Sequence, residues 1–109
     1  MSHFSHHGRN FLNKRYKLEI SFKPPNDLYV EDHKLMGVLI DNVFLGNSLV
    51  ACILGVGLNV NSKMSNTNFQ NGVKAISLRE LIKKEESLSI DKLMVNMIET
   101  YDISNLIRI

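Results

Sequence analysis

Apolar residues recur at every second position along much of the chain, which predicts β-strands joined by turns. Residues 17–23 alternate in this way, and the two prolines after them end the strand because proline supplies no hydrogen-bond donor to a sheet. A short extended piece is predicted at residues 28–30 and a long strand at residues 34–44. A Gly-Asn pair then predicts a tight turn into the next strand.

Residues 48–61 are the most informative predicted strand. The even positions from Val50 to Val60 are all apolar, so this face is predicted to lie in the core. The odd positions lose their side chains at Gly55 and Gly57 and end in two amides. The other face is therefore predicted to present bare backbone part-way along the strand.

Helical spacing replaces strict alternation in the last third of the chain. Ser77, with Glu80 three residues later, forms a capping box that predicts a short helix at residues 77–84. A second helix is predicted at residues 90–101, with its apolar stripe against the core. Residues 62–75 are predicted to form a polar loop before these helices.

The two ends of the chain show little periodicity. Residues 1–16 are rich in Ser, His, Gly, Asn and basic side chains, and a disordered segment is predicted there. His3, His6 and His7 could bind a metal ion, but a solvated tail explains them better, and no metal site is predicted. Residues 105–109 are predicted as a C-terminal tail.

Strands in hairpin order followed by helices predict an α+β fold, with helices packed on a mainly antiparallel sheet, over residues 17–104. A chain of 109 residues with 44% apolar residues suits one small domain. The net charge of +2 lacks the clustered Lys and Arg that nucleic-acid binding needs, and no apolar run reaches membrane-spanning length. The single cysteine, Cys52, fits a reducing, cytoplasmic setting.

Three clusters of residues could carry chemistry. In the first, Pro24 and Pro25 stiffen the chain between Lys23 and the pair Asn26 and Asp27. Rigid placement of an amide and a carboxylate would suit a phosphate-bound magnesium ion or an attacking amine. A proline-bounded turn would use the same residue types, so this alternative stays open.

The other two clusters lie on the predicted strands. Lys34 opens an apolar strand, so its amine could reach a pocket, and Gly37 indicates a bulge or the close approach of another group. The alternative is an edge lysine that discourages aggregation. Gly55 and Gly57 bare one strand face, against which a flat ligand could lie, although a helix packed over the glycines would also need them.

In this order and spacing, the clusters resemble the biotin protein ligase family. That family has a Lys-Trp-Pro-Asn-Asp segment, a Lys-Leu-x-Gly-Ile/Val-Leu strand and a Gly-x-Gly-x-Asn strand, which stand here at residues 23–27, 34–39 and 55–59. Residues 77–78 look like the family's Ser-Leu helix start. The resemblance covers residues 18–101 and implies the later half of a catalytic domain with the class II aminoacyl-tRNA synthetase-like fold of biotin and lipoate ligases.

The resemblance also implies a reaction. Such enzymes join biotin to ATP, with Mg²⁺, and pass the biotinyl group from biotinyl-5′-AMP to a lysine of a biotin carboxyl carrier domain. Lys34 is the expected catalytic lysine, and Asp27 is expected to orient the acceptor lysine or the magnesium ion. The expected biotin-binding residues are Lys34, Gly37, Val38, Gly55 and Gly57, and the expected nucleotide-binding residues are Asn26 and Asn59.

Two departures from the family pattern leave three hypotheses. Pro24 replaces the family's tryptophan, and the 109 residues hold no Gly-Arg-Gly-Arg-x-x-Arg-x-Trp loop, which closes over biotin and ATP. The chain could be a portion of a ligase that works with a missing N-terminal half or a homodimer partner, a non-catalytic remnant, or a relative that acts on lipoate or another acyl group. The motifs at residues 23–27 and 55–59 favour biotin over lipoate.

Overall fold

An antiparallel sheet whose strands follow one another in hairpin order forms the centre of the protein. The computed structural model describes residues 3–63 and 74–101. The sheet contains β1 (Ser21–Lys23), β2 (Asp27–Val30), β3 (His33–Leu45) and β4 (Ser48–Leu58) in that order, and β5 (Lys74–Ala75) pairs parallel with the start of β3. With the helices described next, this arrangement confirms the predicted α+β fold.

Two of the three helices match predicted ones. The helix α2 (Leu78–Leu81) begins with the predicted capping box at Ser77, and it is shorter than predicted because Lys83, at a φ of 55°, adopts a left-handed conformation that stops a helix. The helix α3 (Ile90–Glu99) begins at Ser89, whose side chain accepts a hydrogen bond from the Lys92 backbone. The predicted apolar stripe is buried only at Leu93 and Met97, whereas Ile90 and Ile98 are each 51% exposed.

The remaining helix, α1 (His3–Tyr16), shows that the prediction of disorder for residues 1–16 was wrong over the described part. Phe4, Gly8 and Leu12 recur at every fourth position, so they share one helix face, and all three are buried. A Cβ atom on Gly8 would lie 3.0 Å from the terminal methyl carbon of Met36, so the glycine allows α1 to approach the sheet closely. The packed unit therefore extends to the first described residue.

Two of the three histidines of α1, His6 and His7, make contacts with other elements of the fold. Nε2 of His7 donates a hydrogen bond to the carbonyl of Met97, 2.8 Å away, and thereby ties α1 to α3. The ring of His6 meets the edge of Phe22 in β1. Among the described residues no group of His, Cys, Asp and Glu is arranged to hold a metal ion.

Leu12→Ala is expected to lower the free energy of unfolding by about 2–5 kcal/mol, because the Leu12 side chain is fully buried and its loss leaves a cavity. Urea denaturation followed by circular dichroism would measure the change. Lys14→Ala, at an exposed position of the same helix, is the matched control and should change stability by less than about 0.5 kcal/mol. Equal, small effects of the two variants would contradict the packing of α1 on the core.

Strand boundaries also differ from the sequence pattern. The strand β1 is shorter than the predicted strand at residues 17–23, because the Ile20 amide donates to the side-chain oxygen of Asn13 at 2.9 Å instead of joining the sheet. The strand β5 lies within the predicted loop at residues 62–75. It has only two residues, so it is too short to show the alternation of apolar and polar positions that identifies a strand. Residues 64–73 of that loop and the predicted tail lie outside the described residues.

The helices cover only one end of the β3–β4 hairpin. The buried residues of β3 end at Val38, and beyond it the hairpin runs on as a two-stranded segment, residues 39–53, which we call the distal ribbon. The predicted core face of β4 is therefore wrong at its start, where Val50 is 57% exposed. Large exposed apolar residues of the distal ribbon are Leu39, Val43, Phe44, Leu45, Leu49, Val50 and Ile53.

Candidate functional site

An open cleft of about 450 Å³ lies where the near end of the hairpin meets β2. The strands β2, β3 and β4 supply all of its lining residues, so the cleft is a feature of the sheet rather than of a groove between helices. The lining residues are Asp27, Lys34, Gly37, Val38, Leu39, Gly55, Val56 and Gly57.

The charged groups of the cleft form one ion pair. Nζ of Lys34 lies 3.4 Å from Oδ2 of Asp27, and the two side chains are 37% and 27% exposed. A pair that is this accessible to water contributes little to stability. Its consequence is local: the carboxylate fixes the position of the ammonium group at the edge of the cleft.

The backbone around Lys34 is held by three hydrogen bonds. The Lys34 carbonyl accepts from the Ile76 amide at 3.0 Å and from the Asn59 side-chain amide at 3.4 Å. The Asn59 backbone amide donates to the next carbonyl, that of Leu35, at 3.0 Å. The lysine therefore begins from a fixed point of the sheet, which limits the positions that its amine can reach.

Gly37 makes room for the ion pair. It lies opposite Asp27 in the β2–β3 register. A Cβ atom on Gly37 would lie 3.3 Å from Oδ1 of Asp27 and 3.3 Å from Nζ of Lys34, which is closer than ordinary contact. The close approach predicted at this glycine is therefore the approach of the protein's own charged groups.

Under the hypothesis from the motifs that the cleft binds biotin, Gly37→Ala is expected to displace the amine of Lys34 and to weaken that binding by about tenfold, since crowding a packed site costs about 1–3 kcal/mol. Titration calorimetry with biotin would measure the loss. Val43→Ala, at a β3 position outside the cleft lining, is the control and should bind biotin as the original chain does. Unchanged affinity in Gly37→Ala would show that the spacing between Lys34 and Asp27 does not matter.

Two glycines form a bare floor beside the ion pair. Gly57 pairs with Gly37 and Gly55 pairs with Leu39 across the β3–β4 ladder. A Cβ atom on Gly57 would meet only the Gly37 carbonyl oxygen, at 4.0 Å, and one on Gly55 would meet Leu39 at 3.7 Å. No helix atom comes this near within the described part of the chain, so tight helix packing is not the reason for these glycines.

The structure brings six of the predicted site residues together: Lys34, Asp27, Gly37, Val38, Gly55 and Gly57 all line the cleft. Asn26 and Asn59 are not part of its lining. The Asn26 carbonyl accepts a hydrogen bond from the Val38 amide at 3.1 Å, which fixes the turn before β2. Nucleotide contacts of these two asparagines stay a prediction.

Sequence reasoning missed two lining residues, Leu39 and Val56. Leu39 follows Gly37 by two positions on one strand, so alternation alone places it on the same face, and its 75% exposure marks it as unusual. Val56 lies between the two floor glycines and falls on the predicted core face. Alternation gives no signal that it reaches the cleft.

Residues 7–59 match the model of the Biotin/lipoate A/B protein ligase family. The match covers 53 of the 109 residues, and this part of the chain is similar to that family. The matched range contains most of α1, the strands β1 to β4 and every lining residue of the cleft. The cleft therefore lies within the part of the chain that matches the family model. Comparison with curated proteins finds no match.

Solved structures of a biotin protein ligase from Aquifex aeolicus share the fold. One is 24% identical, with a TM-score of 0.69 over 96% of this chain and 43% of that chain. The apo structure is 22% identical, with a TM-score of 0.70 and 42% of its length covered, and the complex with biotin and ATP is 24% identical, with a TM-score of 0.69 and 41% covered. This chain thus spans less than half the length of these ligase chains.

None of the helices in the described ranges combines the length and apolar character that crossing a bilayer requires.

Proposed function

We propose that the cleft binds biotin and that the chain takes part in the ATP-dependent attachment of biotin to a protein lysine. The observation that carries the proposal is the Lys34 ammonium group, held by Asp27 at the edge of a floor formed by Gly55 and Gly57. The proposed reaction joins biotin and ATP to give biotinyl-5′-AMP and pyrophosphate. The biotinyl group then passes to the acceptor lysine, and AMP is released.

The floor suits the shape of biotin. The fused rings of biotin can lie against a strand only where side chains are missing, and the two glycines expose such a stretch of backbone. Leu39 adds apolar surface beside it. A mostly apolar cleft with a few polar groups at one edge is the usual form of a small-molecule site.

The charged edge suits the reacting end of biotin. The Lys34 ammonium can pair first with the biotin carboxylate and then with the α-phosphate, where negative charge develops as the acyl–phosphate bond forms. Its fixed backbone limits the positions that the ammonium group can reach as it does so. The Asp27 carboxylate then lies where it can accept a hydrogen bond from the incoming lysine amine of the carrier domain.

ATP and Mg²⁺ would occupy the same edge. Mg²⁺ keeps several waters and binds substrate phosphates with one or two carboxylates, so Asp27 alone can supply the protein ligand. Asn26 and Asn59, on the chain segments next to the cleft, are the proposed nucleotide-binding residues. The free thiol of Cys52 suits a reducing compartment such as the cytoplasm.

The family that matches includes both biotin and lipoate ligases, so lipoate is the second candidate substrate. Two observations favour biotin: the Lys-Pro-Pro-Asn-Asp and Gly-x-Gly-x-Asn strings at the cleft, and the fold shared with a ligase solved in complex with biotin and ATP. The experiment that follows therefore offers both acids.

The test incubates the chain with ATP, Mg²⁺, a biotin carboxyl carrier domain and either biotin or lipoate, and follows the mass of the carrier. The reaction is run with the chain alone and with the N-terminal part of a biotin protein ligase catalytic domain added. A biotinyl mass gain in either reaction supports the proposal, and a lipoyl gain corrects the substrate. Biotin binding by calorimetry without any transfer would instead indicate a non-catalytic binding protein.

A further inference from the structure

A second cavity, of about 400 Å³, lies beside the helix α2 and shares no lining residue with the cleft. We call it the basic pocket. Its volume lies within the range of small-molecule sites, about 300–1,000 Å³, and charged side chains dominate its lining. The lining cations are Lys63, Arg79, Lys83 and Lys84, and the lining carboxylates are Glu80 and Glu85. Four positive charges therefore face the cavity against two negative ones.

Hydrogen bonds hold one part of this lining in place. The Arg79 guanidinium donates from Nε to the Lys84 carbonyl, at 3.1 Å, and from Nη2 to the Glu85 carbonyl. The Lys84 amide donates in turn to the Arg79 carbonyl at 3.2 Å. Between them, Lys83 has a φ of 55°, which turns the chain back after α2. Arg79 therefore fastens the turn that carries Lys83 and Lys84 to the helix.

Asn61, which also lines the basic pocket, fixes another part of it. Oδ1 of Asn61 accepts from the Leu88 amide at 2.8 Å, and Nδ2 donates to the Leu88 carbonyl at 3.0 Å. This pair of bonds joins the segment that follows β4 to the segment that precedes α3. The backbone around the basic pocket is therefore fixed at several points, and such preorganisation lowers the entropy that a ligand loses on binding.

The positive charges of the basic pocket are only partly compensated by the protein. Oε1 of Glu80 accepts a hydrogen bond from the Ser77 amide at 3.0 Å, so this carboxylate serves the capping box of α2. In the part of the chain that the structure describes, the ion pairs are those of Asp27 and Asp32, and none includes a cation of the basic pocket. Like charges gathered around one cavity repel each other, and an anion in the cavity would relieve this repulsion.

We propose that the basic pocket binds a small, multiply charged phosphate anion such as pyrophosphate. Lysine ammonium groups act as point charges toward phosphate oxygens, and the two carbonyl contacts of Arg79 use only two of its five N–H donors. A concave site of this volume suits a small anion, whereas an extended polyanion needs a long stripe of cations. The basic pocket is independent of the proposed function, because it shares no residue with the cleft and its tests use no biotin.

Titration calorimetry with pyrophosphate, at low salt and without Mg²⁺, is expected to show binding with a dissociation constant below about 1 mM. Lys83→Gln/Lys84→Gln changes two exposed positions and should weaken binding at least about tenfold with the fold unchanged. Lys14→Gln/Lys92→Gln removes the same two charges from exposed positions of α1 and α3, and should bind as the original chain does. Weaker binding by the original chain, or equal affinities of the two double variants, would overturn the proposal.

Further titrations locate the anion and identify its source. Lys34→Ala, which removes the ammonium group of the cleft, should bind pyrophosphate as the original chain does, and loss of binding in this variant would place the anion in the cleft instead. Citrate spreads its charge over three separate carboxylates and should bind more weakly, so an affinity equal to that of pyrophosphate would refute the choice of phosphate. ADP that binds as tightly as pyrophosphate would support the site with a nucleotide diphosphate as its ligand, and weaker binding of ADP would support it with the free anion.

Discussion

Lys34→Ala is expected to lower the rate of biotin transfer at least about 100-fold, because it removes, from the place where negative charge develops, the one ammonium group among the described residues that line the cleft. The rate is measured as mass gain of the carrier domain, under whichever of the two reaction conditions supports transfer by the original chain. The fold should be little affected, since the Lys34 side chain is partly exposed and its ion pair is weak.

A second lysine variant controls for loss of a positive charge. Lys92→Ala removes an ammonium group from the exposed side of α3, away from the cleft, and should leave the transfer rate unchanged. The far-ultraviolet circular dichroism of both variants should match that of the original chain. Transfer by Lys34→Ala at the rate of the Lys92 variant would rule out the assigned role of Lys34.

Gly57→Val is expected to weaken biotin binding at least about tenfold while leaving the fold intact. The added side chain has open space above the floor, where a Cβ atom meets only the Gly37 carbonyl at 4.0 Å, and valine is favoured in strands. The same open space is where the rings of biotin would lie, so the isopropyl group takes their place. Titration calorimetry gives the affinity, and thermal unfolding gives the stability.

Ala51→Val is the matched control for the floor. It adds a branched side chain to the same face of the same strand, six residues earlier and outside the cleft lining. Biotin affinity equal to that of the original chain is the expected result. If the two valine variants bind biotin equally well, the ligand does not rest on Gly57.

Much of the site was predictable because strand alternation is a local property. Once Gly55 and Gly57 fall on one face of an apolar strand, the geometry of that strand leaves the face bare. Local alternation does not place Lys34 near those glycines. That prediction came from the resemblance of the three motifs, in their order along the chain, to a known family. Asn59 anchors the backbone of Lys34 through a hydrogen bond from its side chain to a residue 25 positions earlier, and no local pattern encodes such a contact.

The errors have a common physical origin in tertiary packing. The α1 sequence has a weak apolar face, and it becomes a helix on the sheet because Phe4 and Leu12 find buried partners there. The start of β4 has a strong apolar face, yet Val50 is exposed because no described helix extends over it. A pattern of apolar positions shows which side chains would gain stability from burial. It does not show whether other elements of the fold pack against them.

The floor at Gly55 and Gly57 consists of main chain, and this determines how mutation can damage it. A recognition surface made of side chains is lost when atoms are removed, whereas a surface without side chains is lost only when atoms are added. Every replacement of a glycine by another amino acid adds atoms, so no conservative exchange exists at these two positions. Harmful changes there would leave a well-folded, soluble protein, and screens for stability alone would not detect them.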